Sequence, residues 1–206
     1  MRDILIHGLG QDHTSWDKAK EGFKETKPDM ICPNLFDFLQ KDAYDYKTLY
    51  ENFASQVNQG KDRVNLCGLS LGGLPALDYA KQYPERVASL ILIGVPYKIP
   101  KVLFRLQLLA FRLMPKSRFI KLGFTKEGFI GLLESMKDLE IDGEIEKVNC
   151  KSLLLCGEKD TFNKTSSRLF HKRMKNSELK IIRNAGHEVN IENPEALAQV
   201  IRETFK

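Results

Sequence analysis

Six short apolar runs punctuate this chain: Ile4–His7, Met30–Leu35, Val64–Cys67, Ala88–Gly94, Ser152–Cys156 and Leu179–Ile182. Each is a near-continuous block rather than an alternating one, which is the pattern of a strand covered on both faces of a parallel sheet. Between them lie polar stretches with helical spacing, at Asp45–Gln59, Leu74–Gln82, Thr165–Lys175 and Pro194–Phe205. In the last of these, Leu197, Val200, Ile201 and Phe205 share one side, and Pro194 suits a helix start. Strand alternating with helix predicts an α/β fold: a doubly wound, mainly parallel sheet of about six strands with helices on both faces.

One segment interrupts that alternation. Residues 97–147 contain no convincing strand. Ile99–Met114 is apolar with scattered bases and stops before Pro115. Thr125 can cap a second helix over Lys126–Met136, with Phe129, Leu132, Leu133 and Met136 at helical spacing. Long insertions in a compact domain are usually functional, often lids. The chain of 206 residues therefore reads as one domain with 97–147 as a short helical cap.

Composition narrows the function. Apolar residues make up 42% and the net charge is +5, from 32 Lys and Arg against 27 Asp and Glu. The two signs are interleaved, whereas nucleic-acid binders cluster bases on one face, so no nucleic-acid partner is expected. The uneven stretch is Lys98 to Lys121, which holds several bases and no acid. The bland reading of it is a cap helix with a solvated basic side. An apolar acyl pocket and contact with an anionic membrane surface are the other two, and membrane contact is not expected. Cys32, Cys67, Cys150 and Cys156 form no CxxC pair, which favours buried reduced thiols over a metal site. The start lacks the apolar reach of a signal peptide, and no run attains the roughly eighteen apolar residues of a membrane span. A cytoplasmic protein, monomer or homodimer, is expected.

Gly68-Leu69-Ser70-Leu71-Gly72-Gly73 follows one apolar run and precedes a helical stretch. This is G-x-S-x-G in a strand–turn–helix context, where a serine sits on a sharp turn with small neighbours two residues either side. The helix N-terminus behind it favours developing negative charge. A serine hydroxyl needs a base, and the base an orienting acid. His187, in Asn184-Ala185-Gly186-His187, follows the last apolar run and so shares the carboxyl edge of the sheet with Ser70, where ligand sites of open sheets lie. Asp160, after Ser152–Cys156, fits the acid, with Glu158 as its rival. His171 reads as a surface residue, and His13 as a possible pocket residue. Oxyanion donors are expected from the backbone N–H of Leu71 and of Leu9 or Gly10, with Leu9 preferred. His7 is expected to hold its loop by hydrogen bonding.

These landmarks resemble the α/β-hydrolase fold superfamily. They are His7-Gly8-Leu9-Gly10-Gln11 with Trp16, the turn at Gly68–Gly73, Tyr83-Pro84-Glu85-Arg86-Val87, Cys156-Gly157-Glu158-Lys159-Asp160 and Ala185-Gly186-His187. The resemblance implies Ser70 as nucleophile, His187 as base and Asp160 as its partner. The expected N-terminal strand pair is missing and the cap is short, so the fold is a reduced one. The expected activity is hydrolysis of a small carboxylic ester or thioester with an apolar acyl part, without metal or organic cofactor. C–C bond hydrolysis or a lyase reaction on the same triad is the enzymatic alternative. A ligand sensor that keeps the triad is the non-catalytic one.

Overall fold

Strand residues alternate between two faces, and here both faces of the central strands are apolar. The computed structural model describes residues 1–23, 30–39, 44–120 and 124–205; Lys121, the last base of the acid-free stretch, lies outside them. Five parallel strands form one sheet in the order β1 (Arg2–Ile6), β2 (Val64–Leu69), β3 (Val87–Ile93), β4 (Lys151–Gly157) and β5 (Ser177–Ile182). Leu5, Cys67, Ile91 and Leu153 belong to one apolar cluster. Their chain neighbours Ile4, Leu66, Leu90 and Leu154 belong to the other. Burial on both sides is why these runs carry no polar alternation. The edge strand β5 differs, with Glu178, Lys180 and Ile181 exposed.

The helices are, in chain order, α1 (Asp17–Glu21), α2 (Tyr46–Asn58), α3 (Gly73–Gln82), α4 (Lys101–Leu113), α5 (Lys116–Ile120), α6 (Lys126–Met136), α7 (Thr161–Arg173), α8 (Val189–Glu192) and α9 (Pro194–Thr204). Ala19, Val189, Leu197 and Ile201 carry α1, α8 and α9 onto one face. Leu49, Phe53, Leu77, Phe129 and Phe170 carry α2, α3, α6 and α7 onto the other.

The sixth apolar run forms a bridge rather than a strand. Ile31 pairs with Ile4 in parallel, through Leu5 N–H to Ile31 O and Ile31 N–H to Asp3 O, each 2.8 Å. Pro33 then has no N–H to offer a ladder, and Leu35–Phe38 coils into a 3-10 turn. This outward excursion still sets the winding. The chain leaves β1 on one side, and α2 brings it back to β2 on the other; every later connection steps onward. The reversal falls between β1 and β2, and open parallel sheets hold ligands at the carboxyl ends flanking such a switch.

Between β3 and β4 lie α4, α5 and α6. Thr125 caps α6, its hydroxyl accepting from Gly128 N–H at 3.0 Å. Phe129, Leu132, Leu133 and Met136 are buried beneath it. Pro115 separates α4 from α5.

Candidate active site

β2 ends in an abrupt turn. Ser70 is left-handed, with φ 51°, a conformation that costs a non-glycine residue roughly 1–2 kcal/mol. A short 3-10 turn, Ser70–Gly72, then leads into α3. The turn lies close against the end of β1: a Cβ on Gly72 would collide with the carbonyl oxygen of His7. The glycine lets the serine turn approach the β1 loop that carries Leu9.

His187 lies on the loop after β5, and Asp160 caps α7 on the loop after β4. His187 Nδ1 stands 2.7 Å from Asp160 Oδ2. A proton on Nδ1 makes this a charge-assisted bond and leaves Nε2 as the acceptor. Asp160 also accepts from the Asn163 backbone N–H at 3.1 Å and from Asn163 Nδ2 at 2.8 Å. The Asp160 side chain is 7% exposed and that of His187 44%. The hydrogen bond to Asp160 raises the His187 pKa above its ordinary value, and burial opposes it without prevailing. Burial works to raise the Asp160 pKa, but the bonds from His187 and Asn163 outweigh it and hold the carboxyl below its usual range.

Ser70, Leu71, Leu9 and His187 all border one cavity of about 290 Å³, which Phe104, Leu133 and Met136 also line. Among the described residues no hydrogen bond joins the Ser70 hydroxyl to His187; such contacts often tighten only around substrate. Glu158 is engaged elsewhere, accepting from Asn184 N–H at 3.1 Å. His7 is fully buried. Its Nε2 accepts from Leu35 N–H at 2.8 Å and its Nδ1 donates to Gly8 O at 2.9 Å. Burial lowers its pKa, so it is a neutral tie between the β1 loop and the outward excursion. His13 is exposed and borders no part of the cavity. His171 is exposed on α7, bonded to Ser177 Oγ at 2.9 Å.

Three features of the site escape a reading of the sequence. Gly94, after β3, has φ 57°, and an added Cβ would press to 3.1 Å on the His187 ring. Asn163 holds the far side of Asp160; its signal is the spacing of a helix cap and its third residue. Gln11 Nε2 donates to Glu188 Oε1 at 2.9 Å, and Asn190 Nδ2 donates to Gln11 Oε1 at 3.1 Å. That network joins the Leu9 loop to the His187 loop.

A serine turn between a parallel strand and a helix, with a histidine and an aspartate from later strand ends, defines the α/β-hydrolase class. The model of the alpha/beta hydrolase fold family matches residues 4–114, and the chain belongs to that family as an α/β-hydrolase enzyme. It is similar to a putative 2-succinyl-6-hydroxy-2,4-cyclohexadiene-1-carboxylate synthase of Bacillus subtilis, 27% identical over 97% of this chain and 88% of that protein. Among solved structures it is similar to an enol-lactonase from Burkholderia xenovorans, with TM-score 0.84, 16% identity, and 98% and 90% of the two chains covered. A thermophilic esterase from Thermogutta terrifontis gives TM-score 0.79 and 21% identity, with 98% and 88% covered.

Proposed function

We propose that this enzyme is a serine hydrolase that cleaves a carboxylic ester or thioester with an apolar acyl part. The observation that carries the reading is the 2.7 Å His187–Asp160 pair at the rim of the cavity that Ser70 also borders. In this mechanism the Ser70 oxygen attacks the carbonyl carbon while His187 Nε2 takes its proton. The backbone N–H groups of Leu71 and Leu9 hold the oxyanion. The proton then passes from His187 to the leaving alcohol or thiol, and an acyl ester remains on Ser70. Water, deprotonated by His187, releases the acid and restores the serine. Asp160 fixes the histidine tautomer and stabilises the imidazolium. Residues 97–147 serve as the cap, and Phe104, Leu133 and Met136 give the acyl part its apolar wall.

A second reading, C–C bond hydrolysis or a lyase reaction on the same residues, is favoured by the likeness over 97% of this chain to a Bacillus protein named as a synthase rather than an esterase. The cavity lining argues against the carboxylate that the Bacillus protein's name gives as its product. A carboxylate ligand calls for a cationic partner, and among the described residues no Lys or Arg borders the cavity.

Fluorophosphonate labelling tests the proposal. Ser70 is expected to be modified, as read by peptide mass spectrometry, and Ser70→Ala to abolish the adduct. An unmodified Ser70 in folded protein removes the activated nucleophile and leaves a ligand-binding role. Labelling together with silence on a panel of short p-nitrophenyl esters selects the second reading.

A further inference from the structure

Lys98 to Lys121 holds seven bases and no acid. Residues 97–139 hold nine Lys and Arg against three Asp and Glu, a net of +6, where the whole chain carries +5. The last residues of the insertion, 140–147, carry four acids and one base, so 97–147 as a whole is +3 and the excess lies on its first part. The same segment presents a cluster of exposed apolar side chains. At about 100° per residue, Val102, Leu106, Leu109 and Leu113 fall on one stripe of α4, about 60° wide. They are 74%, 60%, 53% and 78% exposed, and Ile120 on α5 is 70% exposed. The opposite side of α4 is occupied: Leu108 is buried, and Phe104 and Gln107 border the cavity. A helix apolar on both sides has two things to cover, and the fold covers one of them.

We propose that the outer face of α4 docks on an anionic lipid bilayer. Val102, Leu106, Leu109 and Leu113 enter the boundary between headgroups and acyl chains, and the neighbouring bases meet the phosphates. The charges decide between this occupant and a second copy of the chain. The segment's three acids are already engaged, Glu127 with Lys116, Glu134 with Arg112 and Asp138 with Lys101. Arg105 and Arg118 have no ion-pair partner among the described residues. Two α4 faces placed together would set base against base with no unpaired carboxylate of 97–139 between them, whereas an anionic surface supplies the missing sign. No helix among the described residues is long and apolar enough to cross a membrane, so the contact is peripheral. It brings the helix that walls the cavity to the lipid surface.

Vesicle sedimentation of the whole protein tests this directly. Vesicles of phosphatidylcholine with about one-third phosphatidylglycerol should pellet the protein, and phosphatidylcholine alone should not. Raising salt from about 0.1 to 0.5 M should weaken the partition about tenfold, since the Debye length shrinks. Leu106→Gln with Leu109→Gln should also lower it about tenfold, and Arg105→Gln with Arg118→Gln by a smaller factor. None of these four borders the cavity, so turnover of a soluble ester serves as the check on folding. Ser70→Ala should bind as the parent does, which separates this docking from the hydrolytic reading. Equal retention on neutral vesicles, or none on anionic ones, overturns the proposal. A vesicle-free dimer that the double leucine variant converts to monomer overturns it in favour of self-association.

Discussion

The strand-end loops and the helices between β3 and β4 treat their side chains in opposite ways. Around Ser70 and His187 polar groups are committed to one another. Gln11 reaches Glu188 and Asn190, Asn190 reaches Ser15 O at 3.1 Å, and Asp160 is held from two sides. Across α4 large apolar side chains face outward, and its bases either find acids on α6 or just after it, as Arg112 and Lys101 do, or find none among the described residues, as with Arg105. Satisfied, buried networks fix geometry, and fixed geometry is what proton transfer needs. A surface with unmatched apolar area and charge is suited to meeting something else. On the proposed function, chemistry and selection are housed in different parts of the chain, and changes in each should read out separately.

The sharpest break of that division is at Asp160. Asp160→Asn leaves the shape and removes the charge and the tautomer control, and turnover of a p-nitrophenyl ester should fall about 10⁴-fold. Glu158→Gln, two residues away, should stay within about threefold, because Glu158 answers to Asn184. A loss under tenfold at Asp160, by steady-state kcat, would remove it from the reaction.

A smaller effect is expected in the inserted helices. Phe104→Ala opens the apolar wall without touching the histidine–aspartate pair. The kcat/KM ratio of an octanoyl to an acetyl ester should drop about tenfold, the scale of losing one apolar contact in a pocket. The acetyl ester should keep its kcat. An equal loss on both esters would mean that Phe104 positions the reacting groups, and the division between the two regions would fail.

What could be read from the sequence follows the same line. Ser70, Asp160 and His187 each sit just beyond an apolar run, and a parallel sheet sends all such ends to one edge. The long separations between them therefore did not hide them. Gly94 was hidden because the His187 ring that an added Cβ would meet at 3.1 Å comes beside it only on folding. Met30–Leu35 looks like a strand by its apolar content, but Pro33 limits it to the bridge at Ile31. In α4 the periodicity of Val102, Leu106, Leu109 and Leu113 is visible, yet a helix apolar on two sides does not say which side the core takes. Burial of Leu108 and exposure of Leu113 settle that.

The smallest effect is on the pH profile, where the two regions carry opposite charge. His187 must be neutral to accept a proton, so turnover rises with pH through its pKa, which lies above the ordinary histidine value. The bond to Asp160 is the main cause, and the negative charges of Glu188 and Glu192 add to it. Each stabilises the imidazolium, so removing either charge lowers the pKa and moves the acid limb to lower pH. Glu188→Gln should therefore shift the limb of kcat/KM downward, and by less than Asp160→Asn shifts its residual activity. Arg105→Gln should leave the limb in place, since Arg105 is not among the charges that move His187 and exposed charges are screened by salt within about 10 Å. An Arg105→Gln profile displaced as far as that of Glu188→Gln would show that the basic helices act on the chemistry itself. Their field, and not only their apolar face, would then belong to the reaction.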